Sequence, residues 1–176
     1  LRGLITRLGA ARPDLSFLVA STTAASATVF ADQAPDRTVH QFLPIDAPRF
    51  RRRFLDHFKP DLCIWAEQDL WPGFVSDLAA RHVPQVVIAA RMNDTSFAKH
   101  SRAVGLFRNL YGTMQMVTAQ DDKTATHLQA LGADAMVTGS LKPAAPPLTA
   151  DPEAVEQLQK AVADRFVWAV APAHPE

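Results

Sequence analysis

Short apolar segments recur along this chain at a nearly constant interval, and that interval constrains the fold more than any other feature. These segments begin near Leu15, Thr38, Asp61 and Pro84, each 23 residues from the next. They are apolar throughout rather than alternating, as in strands that are covered on both faces of a parallel sheet. The predicted strands are 15–20, 39–43, 62–66, 85–90, 114–119 and 135–138.

Helical patterns fill the intervals between these strands. In one of them Asp46 is the predicted N-cap, Pro48 follows in the first turn, and Lys59 with Pro60 ends the helix. Alternation of strands and helices at this spacing predicts right-handed βαβ crossovers. We therefore expect the α/β class, with a Rossmann-like, doubly wound parallel sheet. The other predicted helices are 70–82, 96–111, 121–131 and 151–164.

Composition and missing motifs exclude several classes of protein. Lys and Arg together number 18, as do Asp and Glu, so no excess of positive charge favours a nucleic-acid partner. Cys63 is the one cysteine, which rules out a disulfide framework, and its place within a strand predicts an inert buried thiol. The histidines lack metal-ligand spacing, so we expect no metal and no cofactor. The glycine-rich dinucleotide and P-loop motifs and the Gly-x-Ser-x-Gly motif are also lacking.

The two ends of the sequence lead us to expect a piece of a longer protein. The chain opens at Leu1 within a helical pattern, so we expect a preceding strand outside it. Residues 166–171 form an apolar segment, and a strand is expected there. We predict a Rossmann-like domain at 1–150 that is truncated at its start. We predict that 151–176 is a linker helix and the first strand of a further domain.

Polar residues follow the predicted strands at the points where the strands end. Glu67 and Asp69 follow the third strand, Arg91 follows the fourth, and Ser140 and Lys142 follow the sixth. In an open parallel sheet, ligands bind beyond the carboxyl ends of the strands, so these residues are candidates for one shared site.

A structural interpretation of each candidate stays open at this point. Glu67 or Asp69 can stabilise a helix N-terminus through the helix dipole. Trp71 is more typical of a core residue than of a substrate platform. Lys142 can be a solvated loop lysine, and Arg91 can pair with a neighbouring carboxylate.

Four arginines flank the phenylalanines of the helix that follows Asp46. One interpretation is a solvated helix face. The other is a contact with phosphate or anionic lipid, because guanidinium groups pair with phosphates through two hydrogen bonds. The four are Arg49, Arg51, Arg52 and Arg53.

Four segments carry motifs that occur together in one enzyme family. Phe42-Leu-Pro-Ile-Asp-Ala-Pro48 is similar to Tyr-Leu-Pro-Leu-Asp-x-Pro, and Glu67-Gln-Asp-Leu-Trp-Pro-Gly73 is similar to Glu-Thr-Glu-Leu-Trp-Pro-Asn. Ala89-Ala-Arg-Met-Asn93 resembles Asn-Ala-Arg-Leu-Ser, and Thr138-Gly-Ser-Leu-Lys142 resembles Thr-Gly-Asn-Leu-Lys. Together they resemble the amino-terminal domain of the 3-deoxy-D-manno-octulosonic acid (Kdo) transferases.

The sequence departs from the family pattern at several of these positions. Asp69 replaces a glutamate, while Gly73, Ala89 and Ser140 replace asparagines. The family's Ser-Val-Gly-Glu segment, whose glutamate is its proposed general base, is expected to lie before Leu1.

The resemblance implies one half of a GT-B glycosyltransferase that transfers Kdo from CMP-Kdo to a lipid A precursor in lipopolysaccharide biosynthesis. It implies a location at the cytoplasmic face of the bacterial inner membrane. This chain would be the acceptor-side fragment, inactive alone. The implied catalytic residues are Glu67 and Lys142; the implied substrate-binding residues are Asp69, Arg91, Ser140 and Trp71; Arg49, Arg51, Arg52 and Arg53 would contact acceptor phosphate or the membrane surface.

Two alternatives remain open at the level of sequence. One is another GT-B enzyme that acts on a nucleotide sugar. The other is a non-catalytic membrane-docking module.

Overall fold

Strands and helices alternate along the chain in the computed structural model, which describes residues 2–67, 70–142, 150–163 and 165–168. The strands are β1 (Phe17–Ser21), β2 (Thr38–Phe42), β3 (Cys63–Ala66), β4 (Gln85–Ala90), β5 (Met116–Ala119) and β6 (Ala135–Val137). The helices are α1 (Arg2–Ala11), α2 (Ala24–Gln33), α3 (Pro48–Phe58), α4 (Pro72–Ala80), α5 (Asp94–Ser101), α6 (Val104–Tyr111), α7 (Asp122–Ala130) and α8 (Pro152–Val162). The chain forms two compact units, Leu1–Ala145 and Pro146–Glu176.

Every strand pair in the described residues is parallel, which confirms the α/β, Rossmann-like class. The strands form two sheets rather than one continuous sheet: β1 pairs with β2, and the larger sheet has the order β3-β4-β5-β6. In the larger sheet each strand lies beside the next one in sequence. Right-handed crossovers therefore place α4, α5, α6 and α7 on one face of it.

The main core lies between the larger sheet and these helices. Side chains that share one face across paired strands, Trp65, Val87 and Val117, are buried with Phe74 and Leu128 of the helices. The opposite face of the same sheet is apolar but open. On it, Ile64 is 39% exposed, Met116 39% and Met136 55%.

The smaller sheet has a separate core. Ile5 of α1 and Phe30 of α2 pack with Val19 of β1. Both helices therefore lie against the same face of β1. Phe17 extends this small cluster.

Helix α3 connects the smaller sheet to the main core. Phe54 of α3 makes an edge contact with Phe74 of α4, with ring centroids 5.7 Å apart. The predicted N-cap at Asp46 is wrong, because the N-cap residue is Ala47 and makes no side-chain hydrogen bond. Asp46 accepts a hydrogen bond at the start of α4 instead. Helix α3 ends at Phe58, as Pro60 predicts, and Lys59 follows it in a left-handed conformation.

The single helix predicted at 96–111 is two helices, α5 and α6. Asn93 caps α5, since its side-chain oxygen accepts a hydrogen bond from the Ser96 amide at 2.8 Å. The chain then turns between α5 and α6, with Ala103 N donating to His100 O. The turn brings the His100 ring onto Phe107, at 4.2 Å between centroids. Residues 96–111 contain no proline, and their one glycine, Gly105, lies within α6 rather than at the turn.

The second unit contains α8. Asp151 caps it, since a carboxylate oxygen accepts a hydrogen bond from the Glu153 amide at 3.0 Å. Phe166 and Trp168 are largely exposed, and 166–168 is not a strand. The rest of the strand predicted at 166–171 lies outside the described residues, and the division into domains at 150 stays a prediction.

Candidate functional site

Hydrogen bonds between neighbouring strands bring the loops after β3, β4, β5 and β6 to one edge of the larger sheet. Glu67 N donates to Ile88 O at 3.0 Å, and Gln120 N donates to Ala90 O at 2.9 Å. Thr138 N donates to Ala119 O at 3.0 Å. Glu67, Arg91, Ser140 and Lys142 therefore lie on loops at the carboxyl edge of this sheet.

The two candidate catalytic residues lie at opposite ends of this edge. Glu67 follows β3 and Lys142 follows β6, so three strand spacings of about 4.8 Å, roughly 14 Å in all, separate their loops. Both residues are exposed. At this separation the two side chains do not pair with each other, and they can face a ligand of sugar size from two sides.

Glu67 has an unusual backbone conformation. Its φ is 61°, in the left-handed region that side chains other than glycine adopt only at a cost. Residues held in this region cluster at functional sites, where the surrounding structure imposes the conformation.

Arg91 lies on a loop that β5 and α7 hold in place. Gln120 Nε2 donates to Ala89 O at 2.9 Å, and the Met92 amide donates to the buried Thr124 hydroxyl at 3.3 Å. Thr124 was not identified as a functional residue from the sequence. The signal that could have identified it is a hydroxyl residue at a helix position where the pattern expects an apolar one. These contacts fix the backbone on both sides of Arg91, whose side chain is exposed.

Asp121 adds a negative charge close to Arg91. Its carboxylate accepts a hydrogen bond from the Thr124 amide at 2.7 Å, which caps α7. That hydrogen bond is the main cause that lowers the pKa of Asp121, and the Arg91 charge contributes further. The edge therefore presents both signs of charge at neutral pH.

Ser140 shapes the loop that carries Lys142. The Lys142 amide donates to the Ser140 hydroxyl at 3.2 Å, and Gly139 has a φ of 85°. A hydroxyl thus makes the local turn at a position where the family pattern has asparagine.

The two other candidate substrate residues differ in their placement. Trp71 is half-buried at the N-cap of α4 and packs against the main core. Its position supports the structural interpretation of this side chain. Asp69 lies outside the described residues.

Arg51 differs from the other arginines of α3, because its side chain is paired with two carboxylates. Its Nε lies 2.7 Å from Asp77 Oδ2 and its Nη1 lies 3.2 Å from Asp46 Oδ1. Asp46 Oδ2 also accepts a hydrogen bond from the Gly73 amide at 3.0 Å, at the start of α4. The Arg51 side chain is 12% exposed, so it holds α3 to α4. Arg49, Arg52 and Arg53 are exposed.

An open groove lies between the end of β2 and α3. Its volume is about 440 Å³, and half of the residues that line it are phenylalanines. Arg53 lies at this groove, so a cationic group and apolar groups occur together, and His57 also lines it. The aromatic residues that line it are Phe42, Phe50, Phe54 and Phe58.

The described residues contain no group of three or more His, Cys, Asp or Glu side chains placed to hold a metal ion. Within the same parts of the chain, none of the helices has the length and apolar character that a membrane span requires. Burial raises the pKa of the Cys63 thiol to about 12, so this cysteine stays protonated and unreactive near neutral pH.

This chain matches a known protein family over most of its length. The family model described as 3-Deoxy-D-manno-octulosonic-acid transferase (kdotransferase) matches residues 1–145. The chain belongs to this family. The resemblance carried by the four motifs is thereby confirmed.

Individual relatives are similar in sequence to this chain over half of its length or more. A 3-deoxy-D-manno-octulosonic acid transferase of Rickettsia felis is 32% identical over 174 residues, which cover 98% of this chain and 37% of the relative. The transferase of Haemophilus influenzae is 26% identical over 142 residues, 79% of this chain and 33% of the relative. A probable mitochondrial transferase of Arabidopsis thaliana is 36% identical over 90 residues, 51% of this chain and 20% of the relative.

The chain spans little more than a third of the length of curated relatives that match nearly all of it.

Proposed function

We propose that this chain is the acceptor-side half of a Kdo transferase, which transfers Kdo from CMP-Kdo to a lipid A precursor in lipopolysaccharide biosynthesis. The family match over residues 1–145 is the observation that carries this proposal. The carboxyl-edge loops support it, because they carry opposite charges, Glu67 and Lys142, about 14 Å apart along one edge of the sheet. In this proposal the fold is one half of a GT-B enzyme, and CMP-Kdo binds to the other half.

The transfer exchanges one bond to the anomeric carbon of Kdo for another. A hydroxyl of the acceptor forms the new bond and loses its proton to the family's general-base glutamate, while the bond to CMP breaks and the phosphate takes the electron pair. Positive charge develops on the sugar ring and negative charge on the leaving phosphate. The Glu67 carboxylate stabilises the former and the Lys142 ammonium the latter, as preorganised charges do in other enzymes.

Arg91 and Ser140 act in binding in this proposal. Arg91 is exposed beside the centre of the edge, where a guanidinium group can pair with a carboxylate or phosphate through two hydrogen bonds. The Ser140 hydroxyl and the Lys142 amide lie on the same loop, so a ligand at Ser140 would lie close to Lys142.

The catalytic roles are tested with Glu67→Ala and Lys142→Ala in the full-length enzyme. Loss of one electrostatic stabiliser should lower the rate of CMP release by roughly 10²–10³-fold. Thermal melts followed by circular dichroism should change little, because both residues are exposed on loops. Lys99→Ala, at an exposed lysine near the end of α5, is the matched control and should keep the full rate. Lower melting temperature with an unchanged rate would contradict both roles.

We also propose that α3 docks on the anionic, cytoplasmic face of the bacterial inner membrane. Arg49, Arg52 and Arg53 are exposed, and Phe50 is 47% exposed beside them. Each basic residue near an anionic surface contributes about 1 kcal/mol of attraction, and salt weakens it. Arg51 does not take part, because its side chain is paired with Asp46 and Asp77.

Liposome co-sedimentation tests this docking. The chain should sediment with vesicles of phosphatidylglycerol and phosphatidylcholine, and much less with phosphatidylcholine alone or in 0.5 M salt, roughly three times the physiological ionic strength of about 0.15 M. Arg53→Ser should weaken sedimentation, whereas Arg102→Ser, at an exposed arginine after α5, should not. Equal sedimentation of both variants would mean that α3 is a solvated face. Docking without Kdo transfer by the full-length protein would favour the non-catalytic docking module.

A further inference from the structure

We propose that His127 holds the loop that carries Arg91, and that it does so in its protonated form, so that Arg91 is held more firmly below neutral pH than above it. This loop, residues 91–93, joins β4 to α5. The consequence for substrate binding rests on the role proposed for Arg91 above, whereas the placement and the protonation of His127 do not depend on that role.

The imidazole ring of His127, on α7, lies between the 91–93 loop and α5. Its Nδ1 lies 3.3 Å from Met92 O, and its Nε2 lies 3.5 Å from Asp94 Oδ1. The side chain is 13% exposed. One ring thus contacts both the residue that follows Arg91 and the first residue of α5, so it links the loop to α7.

Both nitrogens of this ring face oxygen atoms that only accept hydrogen bonds. Met92 O is a carbonyl oxygen, so Nδ1 carries the hydrogen that it donates. An ionised carboxylate is also an acceptor, so an attractive contact with Asp94 needs a hydrogen on Nε2 as well. A neutral imidazole has one N–H and the imidazolium has two. The arrangement therefore matches the imidazolium, and a neutral ring keeps only one of the two contacts.

The face of the ring also favours a cation. Phe97 of α5 stacks on His127, with ring centroids 4.2 Å apart and an angle of 3° between the planes. A cation over the face of an aromatic ring is attracted by the quadrupole of that ring. The stacking also restrains the imidazole, which keeps its two nitrogens directed at the loop and at Asp94.

The charged groups beside His127 form an alternating series that reaches Arg91. Asp94 also pairs with Lys123, whose Nζ lies 2.7 Å from Asp94 Oδ2. Lys123 and Arg91 in turn both lie within electrostatic range of Asp121. Strands β5 and β6, which also pack on α7, have no charged residue. In the part of the chain that the structure describes, Asp94 is therefore the anion that faces the ring, and Lys123 is the cation that shares it.

Asp94 stays ionised while a histidine titrates beside it. The hydrogen bond from Lys123 is the main cause that lowers the pKa of Asp94, and the Lys123 and His127 charges contribute further. Histidine side chains exchange their proton between about pH 5 and pH 8. Raising the pH through this range therefore removes the proton of His127 and leaves Asp94 and Lys123 charged. The loop is thus held by both ring nitrogens at low pH and by Nδ1 alone at high pH.

Nuclear magnetic resonance of the His127 ring tests the protonation directly. Long-range ¹H–¹⁵N spectra of the chain, recorded from about pH 5 to about pH 8.5, should show hydrogen on both nitrogens at the low end. The neutral ring should be the Nδ1–H tautomer, because Met92 O accepts from Nδ1. His100 is the internal reference, since its ring stacks on Phe107 but its Nδ1 has no hydrogen-bond partner among the described residues. A neutral His127 with its hydrogen on Nε2 would overturn the proposal.

Hydrogen exchange of the Met92 amide tests whether the ring holds the loop. This amide donates to the buried Thr124 hydroxyl, so it exchanges when the loop opens. After correction for intrinsic exchange, its protection should fall roughly fivefold between about pH 5.5 and about pH 8.5. In His127→Gln the protection should be low at both pH values. In His127→Arg, which keeps a cation at every pH, it should be high at both. His100→Gln is the matched control and should behave as the natural chain.

Kinetics of the full-length enzyme separate this loop contact from the proposed reaction. At about pH 5.5, His127→Gln should raise the KM of one substrate roughly fivefold and leave kcat unchanged, because Arg91 is assigned to binding. Altered Met92 exchange with unchanged KM would support the loop contact and contradict the binding role of Arg91. Equal Met92 protection at both pH values in the natural chain would overturn the proposal, whatever the enzyme transfers.

Discussion

Because the backbone of Glu67 is left-handed, a substitution at this residue can separate an effect on stability from an effect on activity. Replacing a side chain at such a φ with glycine removes a cost of about 1–2 kcal/mol and adds an unfolded-state entropy cost of about 0.5–1 kcal/mol. Glu67→Gly should therefore raise the free energy of unfolding by about 0.5–1 kcal/mol. It should also lower Kdo transfer, because it removes the carboxylate.

Two variants serve as controls for this prediction, with urea unfolding as the measurement of stability. Lys59 also has a left-handed φ, 44°, at the end of α3, so Lys59→Gly should stabilise the protein equally while leaving transfer unchanged. Glu67→Gln keeps the strained backbone and loses only the charge, so it should lower transfer without a gain in stability. If Glu67→Gly is no more stable than the natural chain, the strain argument for this position is wrong.

The junction of α3 with α4 explains why glycine occupies position 73. A Cβ atom at Gly73 would contact the guanidinium of Arg51 and the carboxylate of Asp46. These two groups are held in place by their bonds to Asp77 and to the Gly73 amide. The family's asparagine is therefore incompatible with this arrangement.

Gly73→Asn should lower the melting temperature by roughly 5 °C, because the new side chain displaces the Asp46 and Arg51 contacts. In a chain that already carries Arg51→Ala, the same substitution should cost much less, since one of the two obstructing groups is gone. Thermal melts of the two single variants and the double variant measure this coupling. Additive effects would show that Arg51 and Gly73 are independent.

At the level of the elements, the local sequence predicted most of the strands. It did not predict the features that depend on tertiary contacts. The strands after residue 60 are found within about two residues of their predicted bounds, because buried parallel strands are apolar throughout. The turn between α5 and α6 was not predicted, since it depends on ring packing between His100 and Phe107. Asp46 was assigned to its own helix, whereas its carboxylate binds the start of another, 27 residues away.

The candidate site, too, could be predicted from the sequence only in part. Sequence placed Glu67, Arg91 and Lys142 after strands, and parallel pairing brings their loops to one edge. It could not separate Arg51 from Arg52 and Arg53, because only the fold reveals that Asp46 and Asp77 reach Arg51. The roles of these residues stay predictions.

For the whole molecule, the division into two compact units predicts that the first is independent of the second. A chain shortened to residues 1–145 should melt within about 2 °C of the 176-residue chain, because its buried clusters lie within the first unit. Circular dichroism melts of the two chains provide the comparison. A fall of 10 °C or more would indicate that the second unit supports the first.

The sequential order of β3, β4, β5 and β6 also bears on the route by which the chain folds. Each of these strands pairs with its successor across a connection of one or two helices, so the contacts that build this sheet close short loops. Short loops close early, because the entropy lost on closure is small. This half of the first unit should therefore act as the nucleus. The segment before Cys63 would then dock onto a preformed surface, and substitutions in β4 should slow folding more than equally destabilising substitutions in β1.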